Sequence, residues 1–155
     1  MNDAPMNDQT STVLRTEHTG LTVASINGVL DFWTEVLGFQ LVYRKELGGG
    51  HAMEQVVGVS GAYLRNALLE GPDGYRVELI EYDSPEDRVV LKQRPCDVGS
   101  AHLTFAVTDL RAMLNRMAPY GWTATGEPQT APSGTIMVYT RGPDGHTIEL
   151  MQHPE

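Results

Sequence analysis

The tetrapeptide Gly-Pro-Asp-Gly occurs twice in this chain, at Gly71–Gly74 and Gly142–Gly145, and each copy opens a strand pattern with a glutamate inside it. Proline presets φ for a turn, and the closing glycine supplies a positive φ that other residues resist. Tyr75-Arg76-Val77-Glu78-Leu79 follows the first turn and His146-Thr147-Ile148-Glu149-Leu150 the second. The two turns stand 71 residues apart, and the same offset carries Glu78 onto Glu149. A repeat at this scale narrows the architecture more than any other feature, because it makes the chain one supersecondary unit written twice.

Each copy reads as β-α-β-β-β. In the first, Glu17 to Ala24 alternates, with Leu21 and Val23 on one face and His18, Gly20 and Thr22 on the other. Ser25 is placed to cap a helix whose apolar stripe is Ile26, Val29, Leu30, Trp33, Val36 and Leu37, and Gly38 is a suitable stop. Strands are expected over 39–46, 63–70 and 75–82, with a long loop from Gly48 to Gly61 of the kind that serves as a lid. The second copy restarts at Ala101 with Leu103, Phe105 and Val107 opposite His102 and Thr104. Asp109 caps its helix, a strand follows over 121–127, the stretch Pro128 to Gly134 reads as a loop, and strands close the copy over 135–141 and 146–152. The expected organisation is a mobile tail over 1–14, a first module over 15–82, a linker over 83–100 and a second module over 101–155, in the α+β class.

Charge and cysteine count exclude several classes. A formal net charge of −9 opposes nucleic acid, which needs clustered Lys and Arg. No apolar run approaches the ~20 residues of a membrane span, and no secretory leader is visible, so a cytoplasmic protein is expected. Cys96 is the single cysteine and reads as a passive linker residue, which leaves no intrachain disulfide or cysteine-built zinc site.

His18 and His102 begin the two modules, and Glu78 and Glu149 lie on their last strands. On the His strands the apolar residues sit on the face opposite the His, and on the Glu strands apolar residues flank Glu78 and Glu149 on the opposite face, so the two histidines and two carboxylates share the face turned away from the helices. A carboxylate buried without a partner is costly, and two together repel. One divalent cation resolves that cost, and two nitrogen with two oxygen donors suit Zn, Ni, Co, Fe or Mn. Other candidates are weaker. His51 beside three glycines, Met53, and Arg76 on the face of Glu78 are placed to touch a small-molecule substrate; Met137 and Met151 read as pocket or core, and His153 is not read as a ligand.

The stretches HTGLTVASINGVLDFWTEVLGF, GPDGYRVELIEY, AHLTFAVTDL and RGPDGHTIELMQ together resemble the vicinal oxygen chelate superfamily, which includes glyoxalase I, methylmalonyl-CoA epimerase, extradiol dioxygenases and antibiotic-resistance proteins. The resemblance spans 17–152 and implies a cup-shaped mixed sheet of paired βαβββ modules around a metal site, and a homodimer. It places the metal set of glyoxalase I on His18, Glu78, His102 and Glu149, with Glu149 as the residue that also shuttles a proton and Glu78 opposite it. The reaction implied is that of a metal-dependent lyase or isomerase that binds vicinal oxygens and stabilises an enolate. A ring-cleaving iron dioxygenase is a lesser alternative, since the strand TIMVYTR has no His before Tyr139; a non-catalytic resistance protein is another, disfavoured by four intact ligands.

Overall fold

The computed structural model describes residues 12–154 and divides them between two four- or five-stranded mixed sheets with few helices. Most of the expected tail, residues 1–11, lies outside the described residues, as does Glu155. The first module runs β1 (Thr19–Thr22), α1 (Ile26–Asp31), β2 (Gln40–Gly48), α2 (His51–Val57), β3 (Tyr63–Glu70) and β4 (Arg76–Ser84). The second runs β5 (His102–Ala106), α3 (Leu110–Met117), β6 (Thr123–Ala124), β7 (Gln129–Thr130), β8 (Ile136–Arg141) and β9 (Thr147–Gln152). Sheet order is β1-β4-β3-β2 in one module and β5-β9-β8-β6 in the other, with β7 also on β8. In both, the first strand is parallel to the last, and each has a single neighbour. None of the described helices is long and apolar enough to cross a membrane.

The caps sit where short polar side chains precede the helical stripes. Ser25 Oγ accepts from the Gly28 amide and Asp109 Oδ1 from the Ala112 amide, each satisfying a donor that the first helical turn leaves free. Replacing Asp109 with alanine is expected to cost about 1 kcal/mol of unfolding free energy, read from the urea midpoint at unchanged slope. Helix α1 continues into a π-helical turn over Phe32–Val36, closed by the Leu37 amide on the Phe32 carbonyl. This wider turn seats Phe32, Trp33 and Val36 in the core together.

The Gly-Pro-Asp-Gly turns have a packing role as well as a backbone one. In each, the last amide donates to the first carbonyl, and Gly74 and Gly145 take φ of 81° and 82°, the left-handed glycine that turns a hairpin back onto itself. The first glycine of each lies against the aromatic residue that follows the preceding helix. A Cβ on Gly71 would meet Phe39 at 3.1 Å, and one on Gly142 would meet Trp122 at 2.6 Å. Gly38-Phe39 and Gly121-Trp122 are therefore the partners of the turns.

Two expectations are corrected. The lid loop after Gly48 is instead a helix, α2, entered through Gly50 and ended by Gly58 at φ 69°. The segment Pro128 to Gly134, read as a loop, contains β7 and closes with a third turn of the same kind, in which the Gly134 amide donates to the Ala131 carbonyl.

One core joins the modules. Val23, Ile26, Phe32, Trp33, Leu69, Val77 and Leu79 of the first pack with Leu110, Met117, Trp122, Ile148 and Leu150 of the second. Phe32 stacks on Trp122 at 4.7 Å between ring centroids, and Phe39 meets Phe105 edge-on. At the rim, Arg116 donates to the Glu35 carbonyl, the Tyr120 hydroxyl to the Glu35 carboxylate, and His146 Nε2 to the Thr22 carbonyl. The carboxylate at Glu35 holds the Tyr120 phenol above its ordinary range, because ionising the hydroxyl would end that hydrogen bond. The modules thus share one core through their helix sides.

Candidate metal centre

Strand register decides which side chains share a face. Gly20 stands opposite Glu78 across the parallel β1–β4 pair, so His18, two residues earlier, lies on the Glu78 face. His18 Nε2 is 3.3 Å from Glu78 Oε2. In the second module Thr104 stands opposite Glu149, which brings His102 to the Glu149 face, with His102 Nε2 3.5 Å from Glu149 Oε2. Each module thus brings its own His and Glu side by side. The carboxylates are the better-covered members, at 15% and 14% side-chain exposure against 36% and 38% for the imidazoles.

Both gaps are longer than the ~2.7–2.9 Å of a close charge-assisted hydrogen bond. Two donors on one divalent ion, with bonds of about 2.1 Å, lie roughly 3.0–3.4 Å apart, close to what each pair shows. The donor chemistry and the bite fit a borderline divalent ion, one half of a ligand set in each module. The structure does not bring the halves together: among the described residues, no three His, Cys, Asp or Glu side chains cluster closely enough to hold an ion. Among the described residues the two His–Glu pairs stay apart, each on its own sheet.

Three residues that the motifs did not single out surround these pairs. Asn66 on β3 is 3% exposed and donates its amide to Glu78 Oε1. Thr104 donates its hydroxyl to Glu149 Oε2 at 2.9 Å. Tyr139, opposite Glu149 on β8, lies with its ring centroid 4.8 Å from that of His102 and its hydroxyl 3.4 Å from Nε2. The signal for Tyr139 and Thr104 was available in the strand register, since both are cross-strand partners of a candidate ligand.

The weaker candidates divide. Arg76 is bonded to Glu70 at 2.7 Å and lies 3.7 Å from Glu17, so its charge is answered by neighbours other than Glu78. His51 and Met53 are carried on α2, His51 exposed and Met53 half-buried. A cavity of about 780 Å³ runs along the free edge of β1 beneath the linker, lined by Leu21, Leu103, Val90, His146 and Trp122 and reaching His102. His18, Glu78, Glu149, His51, Met53 and Arg76 are not among its lining residues.

The chain is similar to known proteins over most of its length. A 2-epi-5-epi-valiolone epimerase from Actinomyces sp. is 31% identical over 144 residues, covering 88% of this chain and 78% of the relative. A probable lactoylglutathione lyase from Synechocystis is 25% identical over 136 residues, covering 87% of this chain and 92% of the relative. The crystal structure of a glyoxalase family protein from Bacillus cereus superposes with a TM-score of 0.83 over 95% of this chain and 99% of its own, at 24% identity. Residues 15–150 match a single superfamily across both modules, and the chain belongs to the Glyoxalase/Bleomycin resistance protein/Dioxygenase superfamily.

Proposed function

We propose that this protein is a divalent-metal-dependent lyase or isomerase that moves a proton at a carbon next to a carbonyl, with an epimerase-type reaction on a small oxygenated ketone as its best reading. The observation that carries it is the pair of His–Glu half-sites, 3.3 Å and 3.5 Å across, one from each repeat. The similarity to an epimerase and to a probable lactoylglutathione lyase supports the same class, since both names describe enzymes.

In this reading His18, Glu78, His102 and Glu149 hold one ion, and the ion supplies Lewis-acid polarisation of substrate oxygens. Glu149 takes the proton. Its Oε2 receives the Thr104 hydroxyl, which keeps the carboxylate oriented. Glu78 stays a ligand, fixed by Asn66. Tyr139 beside His102 offers a hydroxyl to a substrate oxygen at the same face.

Since each chain holds only halves, a homodimer completes the site. Among the described residues β1 and β5 are edge strands, and each runs beside the strand that holds its module's glutamate. A two-fold axis that sets β1 of one protomer beside β5 of its partner forms two equivalent sites, each with a half from either chain. Val89, Val90 and Leu91, exposed in the linker that borders the β1 edge, are apolar surface that such an interface would cover.

Solvent exchange tests the reaction. Protein loaded with Zn, Co, Ni or Mn is incubated in D2O with 2-epi-5-epi-valiolone and, separately, with the hemithioacetal of methylglyoxal and glutathione. Deuterium entering the carbon next to the carbonyl, and stopping when the ion is stripped, is the expected result. Metal-loaded protein that exchanges neither substrate overturns the proposal.

A further inference from the structure

Asn66 is out of place in its strand. It sits on β3 between Leu64 and Leu68, which share its face and are themselves buried, and only 3% of it is exposed. Its Oδ1 is buried and has no hydrogen-bond partner, so as a packing residue it is worse than the leucine its neighbours would accommodate. The repeat makes the same point. The offset of 71 residues carries Asn66 onto Met137 of β8, so the second module fills this position with an apolar side chain. What Asn66 does make is one bond, from Nδ2 to Glu78 Oε1.

That bond has a direction. Glu78 turns Oε2 toward His18 Nε2 while Oε1 is held by the amide. An amide nitrogen only donates, so it occupies one of the carboxylate's two oxygens and leaves the other free. The second module solves the same problem differently. Gly20 stands where Thr104 stands in the repeat, so β1 has no hydroxyl to offer Glu78, and the donor comes from β3 instead.

We infer that Asn66 is a positioning residue for the metal centre, holding Glu78 so that it presents a single oxygen, Oε2, to the ion. The inference rests on the four-ligand reading above. Partners behind a ligand typically change metal affinity about 10–100-fold when removed. Replacing Asn66 with leucine keeps the branched shape, removes the unpaired acceptor and leaves Glu78 Oε1 unheld.

Calorimetric titration of the metal-free protein with Co(II), beside thermal unfolding of the same metal-free samples, tests it. The expected result for Asn66→Leu is Co(II) binding weaker by about 10–100-fold with an unfolding temperature at or above that of the parent. Asn66→Ser, whose hydroxyl is too short to span to Glu78, gives the same loss of affinity and serves if the leucine variant does not fold. In a Glu78→Gln background the Asn66 substitution has little further effect, because the residue acts through Glu78. Parent-like Co(II) affinity in a folded Asn66 variant overturns the positioning role and leaves the four-ligand site standing. A parent protein that binds no Co(II) overturns the site itself, and this inference with it.

Discussion

Two variants that are inactive alone are expected to recover activity when combined. His18→Ala with Glu78→Gln destroys the first half-site, and His102→Ala with Glu149→Gln destroys the second; each protein alone should hold no ion and show no proton exchange. Co-folded in equal amounts, half the dimers are mixed, and each mixed dimer contains one site built from two intact halves. About a quarter of the parental sites and activity should return. The proposed shared centre predicts this, because the two pairs occupy separate sheets and do not cluster among the described residues of one chain. Recovery of nothing, with mixed dimers demonstrated by mass, would place the whole site inside one protomer and refute the shared centre.

The second large effect concerns the joint between modules. Trp122 is 7% exposed, stacks on Phe32 and lies under the first glycine of the second turn. Truncating it to alanine is expected to cost about 3–5 kcal/mol, measured by urea unfolding, since the space it leaves is walled by both modules and collapses poorly. Gly142→Ala approaches the same ring from the other side. Its Cβ would stand 2.6 Å from Trp122, and a ring locked between Phe32 and a hairpin has little room to yield, so about 1–3 kcal/mol is expected there. A Trp122→Ala protein with a parental urea midpoint would show that the stacked pair is not the joint.

Much of this was legible in the sequence because the relevant signals were local. Ser25 and Asp109 announced their helices through a short polar side chain before an apolar stripe, and both cap as expected. His18 and His102 were legible through period-two alternation at the start of each copy, Glu78 and Glu149 through the repeated turn and strand 71 residues apart, and the structure puts each His beside the Glu of its own module. The errors also have physical causes. Three consecutive glycines suggested an open loop after Gly48, yet His51 to Val57 is rich in residues that tolerate a helix, and glycines at both ends cap it. The third turn, Ala131-Pro132-Ser133-Gly134, follows the pattern of the other two with alanine and serine in place of glycine and aspartate, and went unread because the flanking strands are only two residues long or begin beyond it. Asn66 could not be found locally at all. Its role depends on pairing across β3 and β4, and single-strand alternation shows only a polar residue among leucines.

The shared aromatic core says something about descent. Neither repeat shelters Phe32 or Trp122 with its own sheet alone, since each of these rings is covered in part by the other half. A forebear made of one repeat would therefore have had to self-associate through its helix side merely to stay folded, at whatever concentration the cell maintained. Joining two copies through the 83–100 stretch made that encounter intramolecular, at an effective concentration in the millimolar range, and so independent of expression level. With the helix side secured in this way, the donors to the two glutamates need not match, and Asn66 serves Glu78 where Thr104 serves Glu149.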